Sequence, residues 1–273
     1  MRFSQQRWLG WIILIVLSIA AVWGHHQYLG KGESVNYLSG WILFGVILLL
    51  TIYNGRKKIP FLPVFSSETW LQFHIYAGLL TGVIFAIHAD YKLPQGWFRG
   101  MLTGLYSAVM LSGIFGLFIS RAIPKRLTTH GGEVLFERIP AIRTALKEQS
   151  ETLALESVGH AKAAIIADFY GKELAGFFAK PKNLVKHLME VRNPLNHLLT
   201  RINEISRYLG QGEQATMDKI AQLVRQKDGL DYHYAHQLLL RVWLFIHIPL
   251  TYSLLLFIFA HIVLVYAFAG GAR

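Results

Sequence analysis

Two pairs of histidines share one spacing. His74 and His88 lie fourteen residues apart in one apolar stretch, and His247 and His261 lie fourteen apart in another. Fourteen residues of α-helix make almost four turns, so the two imidazoles of a pair share a face, about 21 Å apart along the axis. Imidazole is the commonest metal ligand and the side chain that titrates nearest neutrality. Four of them at matched depths can therefore hold two metal centres or pass protons. If both stretches run in the same direction, His74 meets His247 at one level and His88 meets His261 at the other.

Such an arrangement needs helices long enough to cross an apolar layer, and the composition supplies them. Of the 273 residues, 53% are hydrophobic and 16% charged, with a mean hydropathy of +0.37. The apolar residues fall in five blocks, at about 8–24, 37–53, 69–89, 102–120 and 238–268, which approach the roughly 20 residues that cross a bilayer core. Basic residues near block ends alternate in side. Arg2, Arg7, Arg56, Lys57, Lys58, Arg121, Lys125, Arg126 and Arg241 fall on one side, and only Lys31, Lys92, Arg99 and Arg273 on the other. The positive-inside rule then predicts a multi-pass protein of the cytoplasmic (inner) membrane, N-terminus cytoplasmic and C-terminus outside. Trp8, Trp70 and Trp243 mark inner ends, and Trp23, Trp41 and Trp97 outer ends, as aromatic belts do. The net charge of +11 is read as this bias and not as a nucleic-acid surface. Ser18-Ile19-Ala20 after the first apolar run looks like a signal-peptide cleavage site, but a retained helix is expected.

Cysteine is absent, which excludes cysteine-ligated iron–sulfur clusters, disulfides, covalent c-type haem and thiolate nucleophiles. Any haem is then b-type and held by histidine or another non-thiolate ligand. Gly78, Thr81, Gly82 and Phe85 lie on or beside the histidine face of the third block, and Thr251, Leu254 and Ile258 occupy the equivalent stripe of the fifth. Glycines there allow a flat macrocycle to approach the backbone. Gly104, Gly113 and Gly116 of the fourth block allow close packing, and Pro249 predicts a kink near His247. Two haems, each between two histidines, fit this pattern best. Two other readings are a His-based transition-metal or proton transporter, and histidines that only hydrogen-bond between helices. The apolar blocks hold almost no Asp or Glu of the kind a transporter would use, and ionisable residues inside membranes are usually functional.

The double H-x13-H arrangement resembles the di-haem unit of respiratory b-type cytochromes and is similar to ferric-reductase-type transmembrane domains. The resemblance covers blocks two to five. It implies two haems b on His74 with His247 (inner) and His88 with His261 (outer), electron transfer across the membrane, redox partner subunits and commonly a quinone or quinol. It departs from that pattern in an extra N-terminal helix and an insertion of about 115 residues. Arg99 and Lys92 outside, and Arg56 or Arg121 inside, are candidate partners for haem propionates.

The insertion at 121–236 carries 17 of the 27 Lys and Arg and 13 of the 16 Asp and Glu. Apolar residues recur at helical spacing, as in Leu146, Leu153, Leu155 and Val158, and breaks are expected at Gly131-Gly132, Pro181, Gly210 to Gly212 and Gly229. Four or five amphipathic helices follow, enough for a small cytoplasmic domain. His25-His26 are read as a solvated loop, and His233 with His236 as a wet helix face. Met189-Glu190-Val191-Arg192-Asn193-Pro194-Leu195 resembles a histidine-kinase phosphoacceptor motif, but Met189 stands where the histidine belongs; Asn193-Pro194 marks a helix start or kink. No G-x-G-x-x-G and no P-loop is present, so no flavin, nicotinamide or nucleotide domain is evident and electrons must come from and go to partners. The expected fold is thus all-α: an integral membrane bundle of five transmembrane helices with an inserted cytoplasmic helical domain. Its parts are 1–120 (helices one to four), 121–236 (the insert) and 237–273 (helix five). The expected role is an electron-carrying subunit of a membrane oxidoreductase complex.

Overall fold

A continuous apolar run can satisfy its backbone polar groups without water only by bonding them within the segment, and helices result. The computed structural model describes residues 3–28, 34–55, 67–129, 134–156 and 163–269, and the secondary structure among them is helical throughout. Arg2, Lys31, residues 56–66, Gly131-Gly132, Val158 and Arg273 lie outside the described residues.

The chain divides into two compact units, 1–118 with 243–273, and 119–242. The first is built from α1 (Phe3–Tyr28), α2 (Ser34–Gly55), α3 (Ser67–His88), the first part of α4 (Trp97–Thr129) and the last part of α10 (Gln211–Ala269). Helices α1, α3, α4 and α10 are long and apolar enough to cross a membrane; α2 carries a shorter apolar run, Tyr37–Ile52. Side chains such as Trp8, Ile19, Phe118, Phe245 and Leu256 face outward, as lipid-facing residues would.

Helix α3 packs closest against α1 and α2. The Tyr76 ring lies where a side chain on Gly10 would stand and meets Trp11 edge-on at 5.5 Å. The buried centre of this unit is formed by Leu43, Ile47, Ile84, Tyr106 and Leu254. Beyond α3 the chain turns through Asp90 and Tyr91, both in the left-handed region at φ 52° and 54°, with an Asp90–Lys92 ion pair across the turn.

The second unit holds a 3-10 turn (Phe136–Arg138), α5 (Ile139–Glu156), α6 (Ala163–Phe169), a π-turn (Tyr170–Leu174) leading into α7 (Ala175–Ala179), α8 (Leu184–Leu188), α9 (Asn193–Ser206) and the first part of α10. Its core joins Ile139, Ile166, Leu174 and Phe178 to Met217, Ile220 and Val224 of α10. The Gly210 N–H donates to Glu213 Oε2 at 2.8 Å, capping the start of α10 in the manner of a capping box. The expected break at Gly229 does not occur: α10 runs unbroken for 59 residues. A glycine within a helix costs only about 1 kcal/mol relative to alanine, and burial of the adjacent Leu223, Val224 and Leu230 offsets that.

The wet helix face expected around His233 and His236 is also corrected. Lys227, Asp231, His233 and His236 are all buried, because this part of α10 is the central helix of the unit and is covered on more than one side. The fully buried Lys227–Asp231 pair ties down the segment before α8. Lys227 Nζ donates to the Lys180 carbonyl at 2.9 Å and sits 4.1 Å from the Phe177 ring centroid, while Asp231 Oδ2 accepts from the Lys182 N–H at 2.9 Å. Removing one member strands the other charge. Asp231→Ala is therefore expected to destabilise the unit by about 3–5 kcal/mol, whereas the double change Lys227→Met with Asp231→Leu costs far less. Hydrogen exchange of α9 amides in the full chain reads both.

Candidate functional site

The four histidines of the repeated spacing all lie in the first unit, two on α3 and two on α10. His88 is the last residue of α3. Its Nδ1 stands 3.3 Å from Ser39 Oγ on α2, and its ring is so close to Gly40 that a Cβ there would approach it to 2.8 Å. The His88 and His261 ring centroids are 6.4 Å apart with planes at 86°. Two imidazoles sharing one metal would have centroids about 6 Å apart, since each metal–nitrogen bond is about 2 Å and each ring centre lies about 1 Å behind its nitrogen. The observed separation is of that size. Phe98 of α4 stacks on His261 at 6.4 Å and 23°, and Arg99 lies within electrostatic reach of His261.

At the other level, His74 has His247 and the Leu50 carbonyl among its neighbours. His247 Nδ1 stands 3.2 Å from Ser112 Oγ on α4. Trp243 stacks on His247 at 5.5 Å and 27° and donates its Nε1–H to the Ser112 carbonyl at 2.9 Å. The Trp243 ring fills the space above Gly116, where a Cβ would overlap it. Gly78, one turn beyond His74, faces open space; Gly104 is open too, at an exposed position of α4.

Between the levels lies a dry layer. Thr81 and Leu254 are each seven residues from both histidines of their helix and both are buried. Tyr106 of α4 donates to Thr81 Oγ1 at 3.0 Å and stacks on Phe85 at 4.1 Å and 17°. Thr81 in turn donates to the Gly78 carbonyl at 2.6 Å.

Among the described residues no group of three or more His, Cys, Asp or Glu gathers, so each level offers two imidazoles. A bare transition-metal ion takes four or more ligands. Two imidazoles can serve a metal whose other positions are filled by another group or by water. Ser39 and Ser112 were not singled out in the sequence, and neither was Gly40. Their signal is a repeated tripeptide, Leu38-Ser39-Gly40 and Leu111-Ser112-Gly113, whose serine holds one histidine of each pair and whose glycine lies against the same ring; the Gly113 Cβ position is 3.8 Å from His247. Each hydroxyl meets Nδ1 and so leaves Nε2 as the ring's other nitrogen.

The other described histidines fall elsewhere. His25 and His26 occupy the last turn of α1 and not a loop. His26 is exposed and His25 half-buried, its ring 6.1 Å from Tyr91. Asn193-Pro194 opens α9. No known family model, curated protein or solved structure matches the chain.

The covering of Gly116 by Trp243 has a measurable consequence. Gly116→Val is expected to cost about 1–3 kcal/mol through overpacking and to lower the thermal midpoint of the full chain in detergent. Gly104→Val, which adds its side chain to open space, leaves that midpoint close to wild type.

Proposed function

We propose that the protein is a di-haem b cytochrome that carries electrons across the cytoplasmic membrane as a subunit of a redox complex. The observation that carries this reading is the His88–His261 pair, spaced for one metal, with a second histidine pair almost four helical turns away on the same two helices. His88 and His261 would ligate the outer haem, and His74 and His247 the inner one. When bound, haem b supplies an iron that accepts and releases one electron.

The chain's own residues do the rest. Ser39 and Ser112 hold His88 and His247 by Nδ1, which directs Nε2 inward. The buried layer of Ile84, Tyr106 and Leu254 excludes water between the two levels. Arg99, near His261, is placed to pair with a propionate. In this reading all five apolar helices cross the membrane, with the N-terminus cytoplasmic and the C-terminus outside. The insert is a cytoplasmic docking domain for partner subunits, consistent with its mixed surface charges. A quinone or quinol is the proposed diffusible partner.

A reduced-minus-oxidised spectrum of the purified protein tests the reading: a b-type α-band supports it, and none after haem reconstitution defeats it. Single alanine variants test the pairing. His88→Ala and His261→Ala should lose one and the same haem and keep the other, and His74→Ala and His247→Ala the reverse. Ser39→Ala and Ser112→Ala should each loosen one haem by about 10–100-fold, read by haem retention on dilution.

A transmembrane arrangement also predicts a response to voltage. A full crossing of the membrane is worth roughly 2.3 kcal/mol per charge per 100 mV, and transfer between levels about 21 Å apart along the axis feels a large part of it. Imposed potentials of opposite sign across proteoliposomes should shift the electron distribution between the haems in opposite directions. An unaffected distribution would place both haems at one depth.

A further inference from the structure

The second unit contains a cavity of about 360 Å³ that electron transfer does not use. Its walls come from α8, the start of α9 and one face of α10. Three features of it point to an anion. His187, only 8% exposed, lines the cavity; its Nε2 makes no hydrogen bond, the nearest acidic oxygen being Asp228 Oδ1 at 3.5 Å. The 14-residue α9 begins at the cavity with no side-chain cap. Pro194 has no N–H and the Asn196 N–H donates to the Arg192 carbonyl at 3.2 Å, so the N–H groups of Asn193 and Leu195 are those without an acceptor in the helix; the helix dipole makes that end attractive to negative charge. Arg192 and Arg225 complete the rim.

One of the two acidic groups of the lining is already engaged. Glu190 is ion-paired with Arg126 at 3.1 Å. Asp228 faces His187 at 3.5 Å, and burial pushes its carboxyl up from the usual carboxylate value. Leu195 and Tyr232 give the cavity an apolar wall. Asn183 and Glu190, both left-handed at φ 57° and 58°, bracket α8 and set His187 in place; strain of this kind gathers at ligand sites.

We propose that this cavity binds a phosphate group, with its oxygens held by the Arg192 and Arg225 guanidinium groups, the His187 imidazole and the first turn of α9. Donors converging from three elements suit a tetrahedral oxyanion, and arginine matches phosphate geometry by paired N–H donors. The phosphate comes either from a free ester or from the headgroup of an anionic lipid; exposed Val185 and Met189 on and beside α8 could rest against the lipid body. The inference does not depend on the histidine pairs of the other unit.

The test uses the full chain. In detergent at fixed ionic strength, calorimetric titration with inorganic phosphate is compared with chloride. In nanodiscs of phosphatidylcholine, with and without phosphatidic acid, protection of the 184–195 amides from hydrogen exchange is compared. Arg225→Gln, at an exposed position, and His187→Gln should each weaken binding at least about ten-fold, the equivalent of one charge-assisted hydrogen bond. Arg201→Gln on the same α9 should not. Variant-sensitive binding of inorganic phosphate identifies a free ester as the source; variant-sensitive protection by phosphatidic acid alone identifies a headgroup. The proposal is overturned if neither probe binds, or if both bind equally to wild type and Arg225→Gln. Neither readout involves haem, so failure here is distinct from failure of the cytochrome reading.

Discussion

An imidazole removed from water has two nitrogens to satisfy, and this requirement organises the apolar unit. Ser39 answers it for His88 and Ser112 for His247. Helices α2 and α4 are therefore not mere packing for the histidine-bearing α3 and α10, because each contributes the hydroxyl that holds one ring. The accompanying glycines follow from the same demand: a serine can reach a ring on a neighbouring helix only if the backbones come close, and Gly40 is where a side chain would collide with His88. Trp243 adds a second bracket at the other level, stacking on His247 while donating to the residue that holds it.

The apolar helices were legible because a run of hydrophobic side chains has one good conformation without water, and the fourteen-residue spacing converts directly into a shared face. Helix ends were less legible. α4 continues past the apolar block through Pro124 to Thr129, and α10 begins well before its apolar block, since polar residues continue a helix as readily as apolar ones. Ser39 and Ser112 escaped notice because a lone hydroxyl in an apolar helix can bond back to its own backbone, as Thr51 does to Ile47. Only the neighbouring helix reveals which serines reach outward. The burial of His233 and His236 was hidden for a related reason: it depends on α10 being the centre of its unit, a property of packing that local spacing does not carry.

Within the second unit, polar groups divide into two kinds. Lys227 Nζ and Asp231 Oδ2 are taken up by each other and by the backbone at Lys180 and Lys182. On the cavity side, Asp228, next to Lys227 in the chain, and His187 of α8 stand at a looser 3.5 Å. Atoms bonded in this way specify a conformation, whereas a ring nitrogen still to satisfy can gain from a ligand. The same helix thus fastens the segment before α8 and furnishes one wall of a cavity.

The dry layer of Ile84, Tyr106 and Leu254 has an electrical meaning beyond exclusion of water. In the di-haem reading it is the filling of a small capacitor whose plates are the two histidine levels. Over about 21 Å, at an effective dielectric constant near 20, two like charges repel by about 0.8 kcal/mol. An electron resting at one level makes the other roughly four-fold harder to fill. The pair would then tend to hold one electron at a time, and each arrival would favour the departure of its predecessor.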